Sequence, residues 1–575
     1  MKKWILFGAL ALILIANALW FYQAIGWDAV DDAYISYVYA QNALRGYGLT
    51  FNPSERVEGF SNFLWTAMML PIVGAGWDVG RVSSALGVAF GIGTLALTIR
   101  FPKWLGVAPI VGWMAALFLA VDGSFALWSV SGLETPMMAF LLTLGAFLYL
   151  QENFQSNHST DTTHGNDLLG RGFTRTNADI KTLFGFIRAN LRLSASQYAL
   201  DGNPGAWNFP KSGIIFALAA MTRPEAVAVF GLTAAHQFAW RMIEQTPLGD
   251  QRKFFTRGDL IRIASFVVIF VPYWLIRWRY YHSLLPNSFY AKVSVGGPIA
   301  QIMRGWEHVQ TFVGVHLSWL ILLPAVIALV VVCARYVKAR RLETGDSRLE
   351  ETRRAFFGFT YFVAMILFYG VYIVYVGGDW SVGRFFVPFL AFAYLLIAAG
   401  IVFVVGLANS KFEIRNSKFV DYVSGGLAIL LALALWFSSA YNGEYKIFIG
   451  GFDAALATHA RIAAGKWLKQ NVAPGTWIAV DAAGQVPYFS ELPTIDMFGI
   501  NDVHIGRMPV ANLGSGTPGH EKFDLGYIIA RAPKYVVIYG TLFDNVSEYK
   551  RANVQWTDNP ELERFLTIYE RADGK

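Results

Sequence analysis

Cysteine is almost absent: Cys333 is the only one in 575 residues. No disulfide can form within the chain, and no cysteine metal site can be assembled. Charge is scarce too, at 15% of residues, and the nine histidines fall at no His/Cys/carboxylate spacing that makes a metal site. Apolar residues fill the space, 55% hydrophobic and 16% aromatic. A water-soluble domain seldom has this balance, so the chain reads as an integral membrane protein. The net charge of +7 does not indicate a nucleic-acid partner, because Lys and Arg gather in short segments between apolar stretches rather than on one face.

Residues 4–26 follow Met-Lys-Lys, run longer than the apolar region of a signal peptide and lack a small-residue cleavage site; a retained first span is expected. Further spans are predicted near 81–100, 107–122, 134–150, 260–279, 311–334, 358–376, 385–407 and 421–440, with 211–240 long enough only for a tight hairpin. That makes about eleven crossings and places the termini on opposite sides. The positive-inside rule then sets the orientation. Lys2 and Lys3, the insert at 151–210 with Arg171 to Arg192, Arg241 to Arg257, Arg335 to Arg354 and Lys411 to Lys418 fall on one side, which is therefore cytoplasmic. Residues 60–77 are apolar enough to cross, but counting them would reverse every later loop, so a helix lying in the outer interface is expected there.

The expected organisation is a membrane part over 1–440 and a water-soluble α/β domain over 441–575 outside the membrane. Within the first part, 27–80 forms the first outer loop with its interfacial helices, and 151–210, rich in Asn, Ser, Thr and Gly, reads as a partly disordered cytoplasmic insert. After Tyr441, "THARIAAGKWLKQNV" has an amphipathic helix pattern, while "GTWIAVD" and "APKYVVIYG" read as buried strands.

In this topology the unusual polar residues collect at the outer ends of spans: Asp31, Asp32, Arg56, Glu58, Asp122, Glu134, Arg223, Glu225, Asn287, Asp379 and Arg384. Ionisable groups at membrane depth are expensive and tend to be functional. Each has a plainer reading. Asp31 and Asp32 suit a solvated helix start, Arg223 with Glu225 suits a structural ion pair, and Asp379 after Gly-Gly suits a turn. His282 and His308 suit interfacial positions rather than ligation. Neighbouring Asp31 and Asp32 point about 100° apart on a helix, which disfavours one shared divalent cation, so no cofactor is expected. Arg223 would sit at the apex of the 211–240 hairpin, where its planar fork can meet a lipid phosphate.

Six segments in order carry a family likeness: "DDAYISYVYAQNALRGYGLTFNPSERVEGFSN", "SGLETPMM", "MTRPEAV", "YHSLLPNSFYAKV", "GGDWSVGRFFVPFL" and "PTIDMFGINDVHIG". Together the chain resembles the GT-C class of membrane glycosyltransferases, with its nearest likeness to the mycobacterial terminal β-(1→2)-arabinofuranosyltransferase and related bacterial enzymes. The resemblance implies a polytopic α-helical GT-C fold. It also implies transfer of a sugar, an arabinofuranose or another pentose or hexose, from a polyprenyl-phosphate donor to a glycan or glycolipid acceptor on the outer face of the plasma membrane. It implies an Asp of the first outer loop as catalytic base, Asp31 in preference with Asp32 as partner, and Glu58 and Glu134 as acids lining the pocket. Phosphate binding by Arg223 and Arg384 follows from charge and location instead. Asp496, Asn501, Asp502 and His504 are candidates to face the pocket, against the plainer reading that strand-end acids form turns.

Inverting transfer needs a carboxylate to take the acceptor hydroxyl proton and cations to stabilise the departing phosphate. A transporter or flippase is the main alternative. It predicts inverted repeats and charges near the bilayer midplane, neither of which is evident.

Overall fold

The computed structural model describes residues 2–154, 210–244, 255–293, 299–341, 347–411, 417–451, 453–510 and 513–572. The basic residues Arg171 to Arg192 of the polar insert lie outside the described residues.

Among the described residues eight helices are long and apolar enough to cross a membrane, and two helices that meet at a 62° bend together pass the same test as a ninth. They are α1 (Lys2–Ala24), α4 (Val79–Leu105), the bent pair α5 (Ile110–Val121) and α6 (Gly123–Val130), α7 (Thr135–Phe154), α10 (Arg257–Tyr281), α13 (Leu322–Arg341), α14 (Ser347–Val376), α15 (Leu390–Lys411) and α16 (Ser417–Leu435). The last continues in wide π-type turns over Trp436–Ile449, past Tyr441. Packing is close because small residues let backbones meet. A Cβ added to Gly400 would lie 1.8 Å from the Pro324 carbonyl, and one on Gly112 2.7 Å from that of Ile99.

Between α7 and α10 lies the hairpin, α8 (Ser212–Thr222) and α9 (Ala226–Glu244). Its first arm begins beside the end of α7, where the Ser212 hydroxyl donates to Glu152 at 2.6 Å. Its apex meets the start of α7, with Arg223 Nη1 2.8 Å from Glu134. Its second arm returns along α7, with His236 3.0 Å from the Tyr149 hydroxyl. The first arm is apolar but only 11 residues long, and neither arm is counted among the nine spans above.

Two other helices stay at one end of the bundle. The short α3 (Phe63–Gly74) spans only ~18 Å at 1.5 Å per residue. It packs against α2 (Asp31–Leu44), and its Trp65 indole donates to Gly132 O at 3.0 Å. One boundary differs from expectation: the span predicted at 311–334 joins the end of a separate amphipathic helix, α12 (Ile299–Val315), to the start of α13. Leu317 and Ser318 break the chain between them in the left-handed region, with φ of 65° and 66°. Apolar residues run across the break, so hydropathy alone shows no seam.

The C-terminal unit follows as α17 (Ala454–Asn471), β1 (Ile478–Val480), α18 (Gln485–Ser490), β2 (Thr494–Asp496), α19 (Val503–Arg507), α20 (Leu525–Arg531), β3 (Tyr535–Tyr539), β4 (Tyr549–Arg551), α21 (Pro560–Phe565) and β5 (Leu566–Arg571). Its sheet has the order β2-β1-β3-β5-β4, with β2, β1 and β3 parallel and β5 and β4 antiparallel. This unit shares a hydrophobic core with the membrane part. Ile35, Val38 and Tyr39 of α2 pack with Ala460, Leu468, Ile478 and Val480. The loops after β1 and β2 therefore face the end of the bundle at which α2 lies. The fold is the expected polytopic helical bundle with a C-terminal α/β unit.

Candidate active site

A cavity of about 330 Å³ opens where these loops meet the bundle. Its charged lining consists of Asp32, Glu134, Arg223, Glu225, Lys292, Asp379 and Arg384, and Ile500 and Pro518 approach from the C-terminal unit.

Arg384 holds one side together. Its Nη1 lies 3.0 Å from Asp32 Oδ2 and its Nε 3.0 Å from Asp379 Oδ2. The guanidinium is centred 5.6 Å from the Trp128 ring and 5.4 Å from that of Phe385. Asp379 also accepts from the Ser381 hydroxyl at 2.7 Å. The loop that delivers it leaves α14 through Gly377 and Gly378, at φ 81° and 77°, where side chains are strained; a Cβ on Gly378 would lie 2.8 Å from the His308 ring.

Arg223 holds the other side. It pairs with Glu134 at 2.8 Å and with Glu225, and it too lies over the Phe385 ring, at 5.3 Å. Glu134 accepts from Asn62 Nδ2 at 2.7 Å, and Asn62 accepts in turn from Ser36 at 3.0 Å and Thr66 at 3.1 Å. This chain of bonds ties α2, α3 and α7 into one wall.

Lys292, at the end of the short helix α11 (Asn287–Lys292), is different. Of the three cations lining the cavity among the described residues, it alone makes no hydrogen bond or ion pair. Burial lowers its pKa, Arg384 adds to that, and Asp32 and Asp379 oppose it. For Asp32, burial is the largest influence and pushes the carboxyl up, but the fields of Arg384, Lys292 and His520 and the Arg384 hydrogen bond together outweigh it and leave the pKa below the ordinary value. Asp32 is thus an ionised carboxylate at neutral pH, 28% exposed into the cavity.

Six residues singled out from the sequence therefore converge: Asp32, Glu134, Arg223, Glu225, Asp379 and Arg384. Five others lie outside its lining. Asp31, preferred as base on the family likeness, turns to the C-terminal unit, where its oxygens accept from the backbone N–H of Gln485 at 2.8 Å and Gly484 at 3.1 Å. Glu58 is buried in a two-pronged pair with Arg277, which also donates to the Leu284 carbonyl at 2.9 Å. Arg56 is exposed and stacks 5.0 Å over Tyr280. Asn287 docks the C-terminal unit, its Nδ2 donating to the carbonyls of Gly499, Ile500 and Asp502 at 2.9 to 3.1 Å. Asp122 caps α6 at the bend, accepting from Phe125 N at 2.7 Å.

The residues of "DMFGINDVHIG" shape their own loop. Asp496 accepts from Asn501 and Phe498, Asp502 caps α19, and His504 pairs with Asp524. Lys292 and Asn62 were missed. Lys292 had a signal in the sequence: it is a basic residue on the side that the positive-inside rule leaves poor in them. Among the described residues no group of three His, Cys, Asp or Glu is arranged to hold a metal ion.

Residues 453–571 match a family described as a domain of unknown function (DUF8728). No curated protein matches the sequence at a significant level. Among solved structures, the chain is similar to the oligosaccharyltransferase of Archaeoglobus fulgidus in its apo form. There the TM-score is 0.53 and the identity 11%, over 93% of this chain and 69% of the other. The same protein in complex with Zn and sulfate gives a TM-score of 0.50 at 11% identity, over 92% and 68%. ArnT from Cupriavidus metallidurans bound to undecaprenyl phosphate aligns over 100% and 98% of the two chains, with 12% identity and a TM-score of 0.48. At these identities the likeness to the oligosaccharyltransferase concerns the fold, which is of the GT-C type.

Proposed function

We propose that the chain is a membrane glycosyltransferase that moves a sugar from a polyprenyl-phosphate donor to a hydroxyl of a glycan or glycolipid acceptor at the outer face of the plasma membrane. The observation that carries this reading is the meeting of one ionised, partly exposed carboxylate, Asp32, with three cations in a single cavity at the membrane end of the C-terminal unit. An oligosaccharyltransferase of the same fold supports a glycan-transfer reading. The volume lies within the ~300–1,000 Å³ typical of small-ligand sites, which suits a sugar phosphate whose isoprenoid tail runs between helices.

In this mechanism the acceptor oxygen attacks the anomeric carbon, the carbon–oxygen bond to phosphate breaks, and its electron pair leaves on the phosphate. Asp32 takes the acceptor proton. Lys292 and Arg384 neutralise the departing phosphate, and Arg223 closes the far wall. A bound phosphate draws Arg384 and Lys292 away from Asp32, so donor binding raises the basicity of the carboxylate at the moment it is needed. The base is thus Asp32 rather than Asp31, and inversion at the anomeric carbon follows from a single displacement. An arabinofuranose as the sugar is the finer part of the proposal and comes from the sequence likeness. The cytoplasmic placement of the N-terminus comes from the distribution of Lys and Arg.

The test is transfer of radiolabelled sugar from a panel of polyprenyl-phosphate donors to membrane acceptors by the purified protein. Label transfer lost in Asp32→Asn supports the reading. Movement of the lipid across proteoliposomes with no transfer of label from any donor overturns it in favour of a flippase.

A further inference from the structure

Behind the Arg384 loop lies a buried carboxyl that does not line the cavity. Glu444 is fully buried, in the π-type turns that continue α16, a departure from α-geometry that frequently accompanies functional sites. Its Oε1 accepts from the Ser124 hydroxyl at 2.7 Å. Ser124 is itself fixed on the first turn of α6, which Asp122 caps. The other oxygen, Oε2, is buried without a hydrogen bond, and so is the indole N–H of Trp128, which reaches toward the same carboxyl.

Two supports of Arg384 converge on this group. The Trp128 ring lies under the guanidinium. Gly383, the residue before Arg384, presses on the carboxyl and its donor: a Cβ there would lie 1.9 Å from Ser124 Oγ and 2.7 Å from Glu444 Oε1. An apolar residue would pack this position without the cost of desolvating a carboxyl. A carboxyl instead offers two acceptors at fixed spacing, one bonded to Ser124 and one facing the Trp128 indole side.

We propose that Glu444 is a positioning residue for Arg384, the seat on which the Gly383 backbone and the Trp128 ring rest so that the guanidinium is held between Asp32 and Asp379. The inference builds on the reading of the cavity as a lipid-phosphate site, with Glu444 acting through Arg384 rather than on the substrate.

Two readouts on the full-length protein in detergent test it: deuterium uptake of the segment 379–386, and affinity for undecaprenyl phosphate. Glu444→Ala should speed exchange of that segment and weaken lipid-phosphate binding by about tenfold or more, the scale on which misplaced groups lose function. Glu444→Gln, which keeps the shape and one acceptor, should restore both to within about threefold of wild type. Gly383→Ala attacks the same seat from the loop side and should repeat the Glu444→Ala pattern; it carries the test where Glu444→Ala does not fold. Exchange and affinity both unchanged in Glu444→Ala, or Glu444→Gln as impaired as Glu444→Ala, would overturn the proposal. Faster exchange in a protein whose wild type binds no undecaprenyl phosphate would uphold the positioning role and reject the lipid-phosphate reading alone.

Discussion

Arg384 Nη1 lies 3.0 Å from Asp32 Oδ2, across 352 residues of sequence. The pair joins the first turn of α2 to the loop between α14 and α15, and Lys292 stands beside it without a partner. A carboxylate held ionised by cations that an incoming phosphate can take over is ready to gain basicity on donor binding, and the predictions below depend on that arrangement.

Asp32→Asn should lower kcat by ~10²–10⁴, the contribution of a missing general base. Asp31→Asn should act on docking instead, since an amide nitrogen cannot accept one of the two backbone N–H groups of Gly484 and Gln485. The loss is about 1–3 kcal/mol of interaction. Transfer kinetics and thermal melting of the two variants side by side separate these roles. A larger kcat loss in Asp31→Asn would reverse the assignment.

Asp32 must be ionised to accept a proton, and its pKa is below the ordinary carboxylate value because Arg384, Lys292 and His520 together outweigh burial. The acid limb of kcat/KM therefore lies below pH ~4 in the wild type. In Arg384→Met burial loses its main opponent, so the limb should move up into the pH 4–7 window. A profile for this variant that stays flat down to pH 4 would contradict the role given to Asp32.

Lys292 must be protonated to meet phosphate, and burial together with Arg384 lowers its pKa. Activity should accordingly fall at a pH below the ordinary lysine value of about 10.4. Lys292→Arg, whose guanidinium stays charged, should remove that alkaline limb, while Lys292→Ala should raise KM for the donor by about 10- to 100-fold, the loss of one charge-assisted hydrogen bond. Donor titrations across pH 7–11 give both results.

Arg277 and Glu58 form a pair with 7% and 3% of their side chains exposed. Arg277→Ala should cost about 3–5 kcal/mol, because it leaves a buried carboxylate uncompensated. The damage should spread to the Ser283 and Leu284 turn that Arg277 also binds. Melting of the detergent-solubilised variant measures it. Loss of activity with an unchanged melting temperature would instead make Glu58 part of the chemistry.

Four residues that lie outside the cavity lining share one feature. Asp31, Arg56, Glu58 and Asn287 were singled out for an expected place near the outer end of a span, and each meets a residue far away in sequence. Their side chains point elsewhere because the C-terminal unit and the end of α10 offer them partners hundreds of residues away. Asn287 reaches Gly499, and Glu58 reaches Arg277. Nearness to a span end carries no information about side-chain direction.

The sequence by itself determined most of the long apolar helices, the hairpin at 211–240 and the α/β character of the C-terminal unit, but not the break near Leu317. Apolar runs can satisfy their backbone in lipid only as helices, and thirty residues can cross twice only as a tight pair. Tertiary structure alone decided which of two adjacent carboxylates serves the cavity. On one helical turn Asp31 and Asp32 point about 100° apart, so the docking of Gly484 and Gln485 against one leaves the other to Arg384. It also decided that Lys292 stands free, since whether a cation is paired depends on residues that come near it only when the helical bundle and the sheet have packed.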